Sequence, residues 1–384
     1  MKVGIFLQTT GIICEYNPLH LGHQKQIAYL KHQGHAVVCL MSGNFVQRGH
    51  PAIFDKMRRS EAAVRCGADL VLELPIQYAL SSAEGFADGG VQILNRICDN
   101  LCFGAETADQ AALLGAAQTL LTPAFSQALR VHLDAGASFP AARAAALAQL
   151  GVDKSLVETP NNILAVEYCK AILAQHTSLS PLPIHREGSY HDDVPDPENP
   201  SATSLRNLLK NGDNWQDFVP TAASSCFADA PIHSLEHAQQ MILYRLRTMT
   251  DAEFESLPYG SEGLWRKLMH ASREQDTLEA IIAATKSKRY TRTRIDRMIL
   301  CALLGITAQD LAQSAPYCRV LAFNDTGREI LKTVKESGYF VNIGTDTGHP
   351  YQAIERRATA LYGLMADTPE SPEAETQYRI YYER

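Results

Sequence analysis

The sequence predicts an α/β protein whose first part is a parallel sheet flanked by helices and whose second part is mainly helical. Three observations carry this. Short apolar runs alternate with longer helical patterns up to residue 186, the rhythm of β-α-β units. Several of those runs end in polar or glycine-rich turns. Beyond Trp215 the strand signal fades, and apolar residues recur at helical spacing.

Strands are expected at residues 11–14, 36–41, 70–74, 100–103 and 182–186. Glu15-Tyr16-Asn17-Pro18, Ser42-Gly43-Asn44 and Gly104-Ala105-Glu106 follow three of them as turns. In open parallel sheets ligands bind beyond the carboxyl ends of the strands, so these turns are where chemistry is expected. Gln8-Thr9-Thr10 interrupts the first apolar stretch, and residues 1–10 read as an extension. Helices are expected over 238–249, 263–270, 277–284 and 292–304, with short strands at 319–323 and 339–343. The last fifteen residues, acidic and proline-containing, read as a mobile tail. A chain of 384 residues accommodates two or three domains of about 150 residues each, and the expected division is 1–214 for the sheet and 215–384 for the helices.

A net charge of −7 excludes a protein that holds nucleic acid through overall basicity, so any such contact must be local. Nine cysteines include no C-x-x-C pair and sit mostly among apolar neighbours, as reduced packing residues do. No apolar run approaches the ~18 residues of a membrane span, and residues 3–7 lack the flanks of a signal peptide. A cytoplasmic protein without a membrane partner is expected.

The most informative segment runs from Glu15 to His23. Pro18 stiffens the turn, Gly22 permits close backbone approach, and His20 and His23, three apart, share one face of a first helical turn. A helix N-terminus offers free N–H groups and partial positive charge, and two imidazoles beside it can donate to phosphate oxygens as charge shifts in displacement. Surface histidines capping a helix, or a zinc site, are the alternatives, although no matching cysteine or carboxylate cluster accompanies the pair.

His20-Leu21-Gly22-His23 resembles the H-x-G-H signature of the nucleotidyltransferase superfamily that includes class I aminoacyl-tRNA synthetases and several adenylyltransferases, which implies a Rossmann-like sheet and ATP cleavage between the α and β phosphates. The superfamily's second signature, I-S-S-T-x-x-R, is approximated by Ser201-Ala202-Thr203-Ser204-Leu205-Arg206, from which Pro200 and Ala202 depart. Ser201 is placed to cap a helix there, and Arg206 to neutralise a leaving pyrophosphate. Glu15-Tyr16-Asn17-Pro18, Met41-Ser42-Gly43-Asn44-Phe45 with Gln47-Arg48-Gly49, Leu72-Glu73-Leu74-Pro75, Phe103-Gly104-Ala105-Glu106, Pro160-Asn161-Asn162-Ile163-Leu164 and Lys288-Arg289-Tyr290-Thr291 resemble, in the same order, the tRNA(Met) cytidine acetate ligases. The similarity runs from about residue 11 to at least 300, and the last 60 or so residues match less clearly.

That resemblance implies an ATP-dependent ligase that forms acetyl-adenylate from acetate and acetylates the wobble cytidine of elongator tRNA(Met), giving N4-acetylcytidine. His20, His23 and Arg206 would be catalytic. Ile13, Cys14, Glu15, Tyr16, Asn17, Pro18, Gly22, Gly104, Asn161, Arg186 and Thr203 would hold ATP. Mg²⁺ is expected with the phosphates, without a dedicated protein metal site, and no protein partner is implied. Residues 286–297 carry six basic residues and one acid, the expected footprint of a confined phosphate-backbone site. Lys286, Lys288, Arg289, Arg292 and Arg294 would meet tRNA phosphates and Tyr290 an unpaired base. Two rival readings are a small-molecule adenylyltransferase and an RNA-binding protein with a vestigial nucleotide site.

Overall fold

The computed structural model describes residues 7–186, 196–197 and 199–384. Ten strands are β1 (Thr9–Cys14), β2 (Ala36–Ser42), β3 (Phe45–Val46), β4 (His50–Pro51), β5 (Leu70–Leu74), β6 (Asn100–Ala105), β7 (Ser180–His185), β8 (Cys318–Phe323), β9 (Phe340–Asn342) and β10 (Tyr381–Tyr382). Eight of them form one sheet in the order β10-β8-β5-β2-β1-β6-β7, with β9 also pairing β8, while β3 and β4 make a separate hairpin. Every pair in the large sheet is parallel except β5 with β8.

Side chains alternate between two cores. Val38, Leu40, Leu70, Leu72 and Leu101 pack under the helices on one face, and Ile12, Val37, Cys39, Met41 and Val71 under those on the other. All of β2 is buried, which is why it reads as an unbroken apolar run rather than an alternating one. Each such fully buried Val, Leu or Met contributes about 1.5–3 kcal/mol.

From β1 the chain steps outward through β2 to β5, then returns across β1 to lay down β6 and β7. The winding direction therefore reverses between β1 and β6. Crossover loops diverge at that point and leave a crevice beyond the strand ends, where ligands of such sheets bind.

A third core lies among the helices Gln239–Thr248, Leu264–Glu274, Leu278–Thr285, Arg292–Leu304 and Tyr351–Tyr362, and Phe45 of the hairpin inserts into it. Residues beyond 215 thus supply both this cluster and the strands β8, β9 and β10.

Two expectations are corrected. Thr9 and Thr10 belong to β1, while residues 1–6 of the expected extension lie outside the described residues. The last fifteen residues are no loose tail. Tyr381 and Tyr382 pair β8, and Glu375 is buried with its carboxylate 2.8 Å from Lys56 Nζ and bonded to Arg319 and Thr359. Burial pushes the Glu375 carboxyl up, but Lys56 and Arg319 outweigh it and hold the group below the ordinary carboxylate range. Counting acids in a segment misses this because the partner cations stand far away in sequence. All nine cysteines are unpaired and buried.

Candidate active site

A cleft of about 1150 Å³ opens at the reversal point of the sheet. That exceeds the roughly 300–1,000 Å³ usual for a small-molecule site. Ile13, Cys14, Glu15, Tyr16, Asn17, His20, Gly22, His23, Gly104, Asn161, Arg186, Thr203 and Arg206 all line it. Pro18, joined to Asn17 by a cis peptide, is buried behind this wall.

The turn after β1 is built from backbone and buried polar groups. Asn17 Oδ1 accepts the Ile53 N–H at 2.7 Å, and the Tyr16 hydroxyl lies 3.3 Å from Cys39 Sγ. Sequence reasoning gave no role to Arg59. This fully buried guanidinium donates to the carbonyls of Glu15 (2.6 Å), Ser42 (3.1 Å), Phe54 (2.8 Å) and Gly43, tying the ends of β1 and β2 together. Within the stretch Asp55-Lys56-Met57-Arg58-Arg59 it reads as one more surface charge. Nothing local distinguishes it.

His20 is the N-cap of the helix Leu21–His32, and its ring stacks on that of His23 with centroids 3.7 Å apart. A Cβ on Gly22 would stand 3.1 Å from His20 Cε1 and 3.2 Å from Nδ1, so any larger residue here would crowd the His20 ring. His23 Nδ1 accepts the His20 backbone N–H at 3.3 Å, so the ring proton of neutral His23 resides on Nε2. The two rings are not equivalent. His23 is half-buried and faces the cleft, whereas His20 lies beneath it with neither ring nitrogen hydrogen-bonded to any described residue. Burial lowers the imidazole of His20 well below its usual range, helped by His23, Arg186 and Arg206, and lowers His23 to about 3, helped by Arg186. Both rings are neutral donors at pH 7.

The opposite wall comes from β6, β7 and the helix Pro160–Ala174. Glu106 accepts from Asn161 Nδ2, the Asn162 N–H and the Thr159 hydroxyl, each at 2.8 Å, and Asn161 Oδ1 accepts from Arg186 Nη1 at 3.1 Å. Burial alone would raise the Glu106 carboxyl, but Thr159 and Asn161 hold it below its ordinary value. A fixed carboxylate thus aims the amide, and the amide aims the arginine. A Cβ built on Gly104 would meet only the Arg186 stem, at 3.7 and 3.8 Å, so protein packing does not demand glycine there. On the third side Ser201 caps the helix Ala202–Asn211 through the Ser204 N–H at 3.1 Å, as expected. Arg206 donates to the Asn17 carbonyl (2.8 Å) and to the Thr203 hydroxyl (3.0 Å), which fastens the second signature onto the first.

The model of the HIGH nucleotidyl transferase family matches residues 7–377. A tRNA(Met) cytidine acetate ligase of Clostridium novyi (strain NT) is 39% identical over 352 residues, 86% of this chain and 88% of its own. Another of that name, from Oceanobacillus iheyensis, is 33% identical over 378 residues, covering 93% and 94%. The crystal structure of Thermotoga maritima TmcAL, apo form I, superposes with a TM-score of 0.89 at 26% identity, covering 98% of this chain and 100% of that one. The same protein bound with alpha-thio ATP gives 0.87. The chain belongs to the tRNA(Met) cytidine acetate ligase family. The match extends through the C-terminal residues that the sequence segments alone left unclear.

In this family member the basic run is largely neutralised from within. Arg289 pairs with Glu262 (3.1 Å), Arg294 with Glu262 (3.3 Å), and Arg292 with Glu279 (2.8 Å) and Asp296 (2.9 Å). Lys286 and Lys288 are exposed and form no ion pair among the described residues. Tyr290 is a correction. Its ring is buried in the helical core and its hydroxyl donates to the Glu262 carbonyl at 2.5 Å, so it is not a platform for a base. Of the run's expected tRNA-binding residues, only Arg292 lines the cleft, beside Leu278, Glu279 and Ile282. The sheet end and the helical end are one continuous space.

Proposed function

We infer that the protein uses ATP to activate acetate and joins the acetyl group to the exocyclic amine of a cytidine in tRNA(Met). The carrying observation is the stacked His20–His23 pair at the point where the sheet reverses, both rings neutral and the buried His20 left with two unsatisfied ring nitrogens. A buried polar atom without a partner costs about 1–3 kcal/mol, a cost a phosphate ligand would relieve.

An acetate oxygen attacks the α-phosphorus of ATP, the bond to the bridging oxygen breaks, and pyrophosphate leaves with the electron pair. His23, whose Nε2–H is free to donate, stabilises charge on the phosphates, and the unpartnered ring of His20 stacked against it supplies a second polar group. Arg186 and Arg206 flank them as fixed cations. In the second step the wobble cytidine N4 of elongator tRNA(Met) attacks the acetyl carbon and AMP departs, leaving N4-acetylcytidine. Adenylation is needed because a free carboxylate is a poor acyl donor.

The cleft's excess volume and its continuation to the helical cluster within 215–384 support a site for two large substrates, with the strands that 1–214 contributes to the sheet providing the first. Lys286 and Lys288 are the run's cations best suited to tRNA phosphates. Among the described residues no group of three or more His, Cys, Asp or Glu is placed to hold a metal ion. Mg²⁺ is therefore proposed as the nucleotide's companion, and no step above depends on a protein site for it. No helix among the described residues is long and apolar enough to cross a membrane. The cytoplasm is the proposed location.

ATP–pyrophosphate exchange with and without acetate, followed by mass analysis of tRNA incubated with the enzyme, tests the reading. Acetate-dependent exchange and a tRNA nucleoside heavier by one acetyl group are expected. Exchange that ignores acetate would restore the small-molecule adenylyltransferase, and no exchange at all would favour the vestigial site.

A further inference from the structure

The segment Gln47-Arg48-Gly49 belongs to the family pattern and has no role in the steps above, although Gln47 and Arg48 line the cleft. It forms the turn of the β3–β4 hairpin, which stands between the two ends of the cleft. Gln47 N–H donates to Glu15 Oε1 at 2.8 Å on the nucleotide side, and the Gln47 carbonyl accepts from Arg297 at 3.2 Å on the helical side. Gly49, at φ +82, lies so close to the helix Arg292–Leu304 that a Cβ would stand 2.4 Å from Arg297 N and 2.7 Å from the Asp296 carbonyl carbon. Only glycine permits both that conformation and that approach.

The consequence is the placement of the next residue. His50 lines the cleft with its Nε2 3.4 Å from Asp296 Oδ2, and the Asp296 side chain is 2% exposed while that of His50 is 39% exposed. Arg292 holds Asp296 from the other side through Nε, at 2.9 and 3.1 Å. A buried carboxylate fixed by an arginine thus faces one nitrogen of a cleft-lining imidazole, and no described residue hydrogen-bonds the other nitrogen, Nδ1.

Acyl transfer to cytidine needs such a group. The N4 lone pair is delocalised into the ring, so attack on the acetyl carbon is completed only if the amine loses a proton as the C–N bond forms. The departing AMP carries its own electron pair and needs no acid. The histidines of the adenylation turn are poor acceptors, since burial lowers His23 to about 3. His233, which also faces a carboxylate, has a side chain with no exposed surface. We propose that His50 is the general base of acetyl transfer, taking the N4 proton on Nδ1 while Asp296 orients the ring, and that the cytosine therefore docks against the β3–β4 hairpin.

This rests on the functional reading above, and the test keeps the two apart. Wild type, His50→Ala and His50→Gln are compared in acetate-dependent exchange, which reports adenylation and folding, and in tRNA acetylation. Both variants are expected to lose about 10²–10⁴-fold in acetylation kcat, the scale of a positioned base, with tRNA KM and exchange within about threefold of wild type. Added imidazole is expected to restore acetylation in His50→Ala and not in His50→Gln, whose side chain fills the space. Acetylation by His50→Ala at the wild-type rate would overturn the assignment alone. So would a defect confined to tRNA KM and deaf to imidazole. A wild type that exchanges but never acetylates tRNA would overturn the functional reading, and this assignment with it.

Discussion

The turn after β1 and the basic run of residues 286–297 are both expected from sequence to meet phosphate, and they are built in opposite ways. At the turn, His20 keeps two buried ring nitrogens without partners, and Asn17, Arg59 and Arg206 each hold backbone through a hydrogen bond. In the run, Arg289, Arg292 and Arg294 are already answered by Glu262, Glu279 and Asp296. A rigid site with unmet donors binds a ligand at little reorganisation cost. A run whose cations are paired binds through whichever charges remain, and its other cations hold the fold.

The largest effect should come from breaking the turn. His23→Ala and His20→Ala are expected to slow acetate-dependent exchange by about 10²-fold or more, the scale for losing a transition-state donor. Near-normal exchange in either would make that histidine a packing residue. Their neutrality has its own test. A histidine whose folded value lies below the unfolded ~6.5 excludes a proton that the unfolded chain binds. Its effect on stability is therefore absent above about 6.5 and destabilising as pH falls toward 3. Thermal melts of the free enzyme from pH 7 to 5 should fall less steeply for His23→Gln than for wild type, and parallel curves would mean that the ring is not held neutral.

Splitting the basic run gives the next largest effect. Lys286→Ala with Lys288→Ala should weaken tRNA binding by about tenfold and flatten its salt dependence by up to two phosphate contacts, with Tm unchanged. Arg292→Ala should instead lower Tm, because it leaves the buried Asp296 without the Nε–H that both its oxygens share. If the lysine pair left affinity and salt slope untouched, tRNA would dock elsewhere.

The same contrast explains what could be read from sequence. Strand-turn-helix segments announce themselves because backbone geometry restricts the residues that fit, so β1, β2, β5, β6 and β7 and the His20–His23 turn were all legible. Arg59, Glu375 and the pairs of residues 286–297 were not, since their meaning lies in partners brought together by the fold. Tyr290 shows the limit within a single motif. Its place in a basic run suggested a base platform, whereas the packing of residues 264–304 makes it core. His50 was hidden for a related reason, because a lone histidine after a glycine carries no signal until Asp296 is found against it.

Gly104 sharpens the comparison from the ligand's side, with the smallest expected effect. Gly49 is demanded by the protein, since any Cβ there would press on a helix backbone, and a Cβ on Gly22 would crowd the His20 ring. At Gly104 a methyl would touch only the Arg186 stem at ordinary contact distance, and the backbone conformation is one any residue adopts. Gly104→Ala should therefore fold with an unchanged or slightly raised Tm, because alanine also loses less chain entropy. If the adenine or ribose lies against this strand end, the methyl occupies its space, and the KM for ATP in exchange should rise several-fold with kcat nearly intact. A fall in Tm would trace the glycine to packing after all. An unchanged KM would move the nucleoside off β6 and leave only its phosphates at the turn.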